Sequence, residues 1–329
     1  MTEWKPDLRD EDDPVRSALE LGLRRQPLDA AALARMRASV RAEFEALHGR
    51  RAGRRRWPLW VASLAAALAG LTVLTALYLF QGEEGPSFGN VVRIERGSLQ
   101  SATNFLRRHD LGVGADVPSQ QAITSAGTSL ISLVQGGLLR AAPGTSFEGV
   151  GANEVVLRSG QLYLDFPQGA AQFLLRTPAG TFEHVGTQFE ASVSGGETRI
   201  RVREGSVKMN TAVAAQLVSV GTEVVVSNAG AVTRRSLPTY GPDWAWVESI
   251  APEFEIENRE LVDFLSRVAR ETGRRVEFVD DRARDVAGHT LLHGSVHGLA
   301  ALAALEQVLS TTSLRYEIHD DAIRVSSHR

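Results

Sequence analysis

The 329-residue chain contains no cysteine. That excludes disulfides, thiolate zinc sites, cysteine-ligated iron–sulfur clusters and cysteine nucleophiles. It does not fix a compartment, because many cytosolic and exported proteins lack cysteine. No sign of charge dominates either: 36 Lys+Arg stand against 39 Asp+Glu, net −3, so there is no global case for binding nucleic acid. H-E-x-x-H and phosphate-binding glycine motifs are absent. What is present is an ordinary globular share of apolar residues, 43%, which excludes wholesale disorder. The length suggests two domains and additional segments.

The even charge balance hides a local asymmetry. Residues 57–80 are 24 consecutive residues without a charge. As a helix they would extend about 36 Å, enough to cross a hydrocarbon core of about 30 Å with some tilt. Trp57 and Trp60 mark one end, Tyr78 and Phe80 the other, as expected where rings sit at the headgroups. A buried core helix rarely runs this long without a polar stripe, and the segment starts too far in for a cleaved leader. Arg50, Arg51, Arg54, Arg55 and Arg56 precede it, whereas Glu83 and Glu84 follow. The positive-inside rule then places residues 1–56 in the cytoplasm and 81–329 across the membrane. Residues 1–56 hold 13 Lys+Arg and 10 Asp+Glu, net +3, and the remainder is net −6. Beside a span, the arginine run is read as a lipid-headgroup anchor rather than a nucleic-acid patch.

The cytoplasmic arm, 1–56, begins polar and charge-mixed, with one short helix expected at 15–23. Residues 29–48 are more regular. Asp29 is an N-cap candidate, and Leu33, Met36, Val40, Phe44 and Leu47 recur at helical spacing as one apolar stripe. A lone amphipathic helix of this length is marginal in water, which favours docking on a soluble partner or a second copy over a bare stem.

Beyond residue 81, the segment 81–124 is expected to supply a stalk and first β segments. From Val91 to about Arg235 the hydrophobic period is two. In Thr198–Val202 and onward, Ile200 and Val202 alternate with Arg199, Arg201 and Arg203, which are read as a solvated or edge-protecting stripe. Gly195-Gly196 suits a tight hairpin. Further strands are expected at 155–158, 161–166, 172–176, 187–193, 217–220 and 223–227. The sum is an all-β domain, a β-sandwich or a rolled sheet, with its main body at 125–235.

Within it, Gly186, Thr187 and Phe189, followed by Val202, Glu204, Gly205 and Val207, resemble the paired "GT-x-F" and "V-x-E-G-x-V" strands of the FecR domain. Leu157–Phe166 and the Thr177-Pro178 segment are similar to its preceding strands. The resemblance covers about residues 125–230. It implies a single-span inner-membrane regulator of anti-sigma-factor type, with the FecR region periplasmic.

Tyr240–Trp246 lies in an expected linker or packing hinge, 236–252. Residues 253–329 then read as a small α+β unit of order β-α-β-β-α-β-β. Its strands are expected at 254–256, 275–279, 289–296, 314–318 and 323–325, and its helices from Asn258 to Gly273 and at 299–310. The stretch 292–325 resembles half of the short N-terminal domain of secretins and TonB-dependent receptors, a module found at this place in the FecR family.

The expected whole is a membrane-anchored multi-domain chain. What the resemblance implies is a signal relay. The periplasmic part would meet the signalling domain of an outer-membrane TonB-dependent receptor, and the arm would control an extracytoplasmic-function sigma factor. The competing reading is a membrane-tethered envelope scaffold without sigma-factor activity. His289, His293 and His297 are read as surface histidines, not metal ligands. Asp165, Glu190 and Glu204 would make a hydrolytic pair only by speculation. No catalytic, metal or cofactor-binding residue is assigned, and no enzyme or direct nucleic-acid contact is expected.

Overall fold

A computed structural model describes residues 30–48, 87–95, 97–104, 107–213 and 215–327. The chain divides into two compact units, residues 1–81 and 82–329. The span at 57–80, the short helix at 15–23 and the topology anchors Arg54, Arg55, Arg56, Trp57, Trp60 and Tyr78 lie outside the described residues. Among the described residues, no helix is long and apolar enough to cross a membrane.

In the first unit, helix α1 spans Ala30–His48. Its alanine content is the composition that helices favour most. Met36 and Val40, one turn apart, are 58% and 64% exposed. Leu33, Phe44 and Leu47 lie in the same helix, with side chains outside the described set.

The second unit is mostly β-sheet. Fifteen strands form one sheet, and three of them set its shape: β9 at Glu154–Asp165, β11 at Gly180–Ser194 and β12 at Glu197–Thr211. Each changes partner along its length. β12 pairs with β14 (Thr222–Val226) over its first part and with β13 (Ala215–Ser219) over its second. β9 pairs with β8 (Thr145–Val150) near its start and with β7 (Leu138–Ala141) and β11 near its end. Strands that switch neighbours carry a sheet round a corner, so both halves close on one core. That core runs from Phe88 and Val91, on β1 (Ser87–Glu95), to Val224 and Val226 on β14. β1 lies between β4 (Asp116–Pro118) and β6 (Thr128–Leu133).

The Gly195-Gly196 hairpin joins β11 to β12 with both glycines at positive φ, as a two-residue turn requires. Glu204-Gly205, by contrast, does not end a strand: β12 runs through it to Thr211. Gly205, at φ 70°, faces a bulge in β11 around Gly186, and a Cβ there would lie 2.3 Å from the Gly186 carbonyl oxygen. A glycine inside a strand pattern is equally a turn and a bulge signal in sequence, and here the bulge wins. For the same reason the expected strands 155–158 and 161–166 are one strand, β9, kinked at Gly160 with φ 90°.

After the sheet, a 3₁₀ turn at Pro242–Trp244 leads into α2, Ala245–Ser249. The C-terminal module follows. It comprises β16 (Arg259–Glu260), α3 (Leu261–Thr272), β17 (Arg275–Phe278), α4 (Asp281–His289), β18 (Leu291–Leu292), α5 (Ala301–Leu309), β19 (Leu314–His319) and β20 (Ala322–Ser327). β17 runs parallel to β20, which forms a hairpin with β19, while β16 pairs with β18. Leu261, Phe264, Leu265 and Val268 make the apolar stripe of α3, and Gly273 caps it in the left-handed conformation.

The order differs from expectation in three places. Residues 254–256 form no strand, although Phe254 and Ile256 are buried in the module core. Helix α4 stands where none was expected, and most of the strand expected at 289–296 is absent. The apolar stripe of α4 is Ala283, Val286 and Ala287, too small to stand out, and the signal present was its cap, Asp280, whose carboxylate accepts from the Ala283 amide at 2.8 Å.

Candidate functional site

The motif residues meet at one place on the sheet. Gln188 is paired opposite Glu204, and Phe189 opposite Val202. Phe189, Val202 and Val207 point into the core, and Thr187 is fully buried. The opposite face of the same strands carries charge. There the C-terminus of α3 and the segment 237–250 are bound to the sheet.

Arg140 on β7 is completely buried. One of its terminal nitrogens donates to both Glu271 carboxylate oxygens, at 3.0 and 2.8 Å, and the other to the Val247 carbonyl at 2.9 Å. Its guanidinium lies 5.1 Å from the centre of the Tyr163 ring. Arg270, next to Glu271 on α3, donates to Asp165 at 2.5 Å, to the Phe166 carbonyl at 2.9 Å and to Glu204 at 2.5 Å. Gln188 holds the second Asp165 oxygen at 3.0 Å. Arg203 donates to the Thr239 carbonyl at 2.7 Å and to Glu248 at 2.6 Å, and stands 5.0 Å from the Trp244 ring centre. Trp244 meets Tyr163 edge-on at 6.2 Å, and the two share a small apolar cluster with Leu237 and Val247. The Trp246 indole donates to Glu190 at 2.8 Å. Arg201 bonds Glu223 at 2.7 Å and lies 3.4 Å from Glu190.

Arg201 and Arg203 are therefore buried, not a solvated stripe, and only Arg199 is half exposed. The alternation placed them on one face correctly, but the cover over that face comes from some 40 residues later in the chain. The segment expected as a linker or hinge is that cover. Asp165, Glu190 and Glu204 sit on this face as well, each facing an arginine rather than a second acid.

Burial sets the electrostatics. It pushes the Glu271 carboxyl above its ordinary range, against the pull of Arg140. It likewise raises Glu190, opposed by the Trp246 indole and Arg201. The Tyr163 phenol is raised for the same reason. Glu223 goes the other way: burial is outweighed by its bonds to Arg235 and Arg201, which hold it low. Arginine does not surrender its proton in proteins, so this arrangement fixes groups in place rather than shuttling protons.

His289, His293 and His297 do not converge on one another. They sit at the end of α4 and in the loops after it, exposed, each beside its own carboxylate: Asp285, Glu257 and Glu253. Among the described residues no three His, Cys, Asp or Glu gather as metal ligands. The residues that sequence reading missed are Arg140, Arg270 and Glu271. Arg140 stands alone in an apolar run, Leu138–Ala141, and that was the available signal.

A fifteen-stranded sheet of this kind, entered at β1 and bulged opposite Gly205, defines an all-β domain class. Residues 115–208 match the family described as "FecR protein", and the chain carries a FecR domain there. Two crystal structures of a candidate anti-sigma factor from Parabacteroides distasonis ATCC 8503, at 1.65 and 2.50 Å, resemble the chain at 14% identity. Each alignment covers 62% of this chain and 96% of the other, with a TM-score of 0.33. A likeness at that score says nothing about activity. No curated protein matches the sequence.

Proposed function

We propose that the chain is a regulator, not an enzyme, that couples an envelope-facing FecR domain to control of an extracytoplasmic-function sigma factor. In this reading residues 57–80 span the inner membrane, residues 1–56 are cytoplasmic and residues 81–329 periplasmic. The periplasmic partner is the signalling domain of an outer-membrane TonB-dependent receptor. The observation that carries the cytoplasmic half is α1, whose Met36 and Val40 stand exposed one turn apart. Two adjacent apolar side chains on a helix are the kind of anchor that a groove on a soluble partner takes.

The full chain in detergent, bearing an affinity tag, is mixed with the sigma factors of its source organism. Capture of one by the wild type and its loss in Met36→Asp/Val40→Asp supports the reading. Equal capture by both, or none by either, rejects α1 as the docking element and leaves a tethered envelope module. Orientation is tested separately. Single cysteines introduced at position 39 or 159 of this cysteine-free chain should be labelled by an impermeant maleimide in spheroplasts only at 159.

A further inference from the structure

Between residues 82 and 329 there are two large cores, and they do not merge. The sheet core ends with Val226. The core of the C-terminal module is built wholly from residues between Phe254 and Val325. Apolar contact at the junction is the small cluster of Tyr163, Leu237, Trp244 and Val247, and this binds the segment 237–250 to the sheet rather than the module. The module itself is tied on by the last turn of α3. Glu271 goes to Arg140, Arg270 goes to Asp165, Glu204 and the Phe166 carbonyl, and the Gly273 carbonyl accepts from the Thr239 hydroxyl at 2.6 Å. The fit at Gly273 is close: φ is 63°, and a Cβ would lie 1.8 Å from the Thr239 carbonyl oxygen. Ala251 and Pro252, which connect the covering segment to the module, have no regular secondary structure, whereas the Glu253 and Glu255 carbonyls are already held by Arg267 of α3, and Phe254 and Ile256 lie in the module core.

We propose that the C-terminal module is reversibly latched to the FecR sheet by Arg140, Asp165 and Glu204 acting on Arg270 and Glu271, and swings free about Ala251 and Pro252 as an intact unit. This does not depend on the sigma-factor reading. An apolar junction would resist opening, because exposing it costs free energy in proportion to area. An ionic junction behaves differently: its charges regain hydration when it opens, and that largely offsets the attraction lost. The geometry is specific while the net hold is small. Docking of this kind is governed by direction and by salt. A partner that supplies competing charge to Arg270 or to Asp165 and Glu204 would open it without unfolding either core.

The experiment uses the full chain in detergent with Ser159→Cys on the sheet and Ser266→Cys on α3, both exposed and the only thiols present. Spin labels on the pair report the separation of sheet and module. The wild type should give one narrow distance. Arg270→Ala/Glu271→Gln should add a longer population while hydrogen exchange in β11, β12 and α5 stays protected. A single unchanged distance in the folded variant overturns the latch. Should that variant misfold, the wild type decides: raising salt from about 0.1 M to about 1 M shortens the screening length from about 10 to about 3 Å and should make a longer-distance population appear beside the narrow one. No change with salt overturns the proposal equally.

Discussion

The sheet and the C-terminal module are each held inside by apolar packing, while the ground between them is held by arginine and carboxylate. Phe189 in one core and Phe264 in the other are buried among apolar neighbours, whereas Arg140 is buried beside acids. The first kind of contact is non-directional and grows with the apolar area removed from water. The second is directional, and it is worth little net until one partner is removed. One chain thus uses cohesion to make its parts and geometry to set them against each other.

The comparison is broken most strongly by leaving a charge stranded. Arg140→Ala strands Glu271, and lifting the module off relieves it: the variant should show a longer sheet–module distance, and its loss in denaturant unfolding should stay below the about 3–5 kcal/mol of a charge locked in place. Replacing both partners, Arg140→Met with Glu271→Leu, should restore most of that loss. If the double variant is as unstable as the single one, the ion pair is more than a replaceable contact. Phe264→Ala should cost about 3–4 kcal/mol. Hydrogen exchange should show that loss in α3, α5 and β20 but not in β11 and β12, and loosening of both cores together would show that they are one cooperative unit. Gly273→Ala should cost about 2 kcal/mol through its positive φ and the Thr239 contact. Gly112→Ala, which meets nothing within 4 Å, should stay within about 0.5 kcal/mol.

The smallest effect is in pH. A carboxyl whose folded value is raised binds its proton more tightly when folded, so its contribution is present at low pH and lost as pH rises from about 4.5 through the raised value. Glu271 is of this kind. Glu223, held low, contributes above the ordinary carboxylate range and loses that contribution as pH falls. Glu271→Gln should therefore flatten the fall in stability above about pH 4.5 and leave the acid limb intact. Glu223→Gln should do the reverse.

The β content and the hairpin at Gly195-Gly196 were legible in sequence, because period two and paired glycines are local signals. So was the apolar stripe of α3, ended at Gly273. What was not legible was long-range. Nothing near Arg203 announces that Thr239, Trp244 and Glu248 will cover it, and nothing near Arg140 announces Glu271, 131 residues away. Strand pattern tells which residues share a face, and a buried arginine and a solvated one give the same alternation. α4 was missed for a different reason: a stripe of alanines carries a weak hydrophobic signal although it packs closely.

The first strand after residue 86 has a mechanical consequence. β1 is bordered by β4 on one side and by β6 on the other, antiparallel to both. Tension applied to the chain at residue 87, along the strand, would load the hydrogen bonds on both flanks at once, in shear, instead of opening them one after another. Resistance to such a pull is set by the rate of unfolding rather than by equilibrium stability. The point where the sheet joins the preceding chain is built to bear load, and a tug arriving there would reach the FecR domain as displacement before it produced rupture.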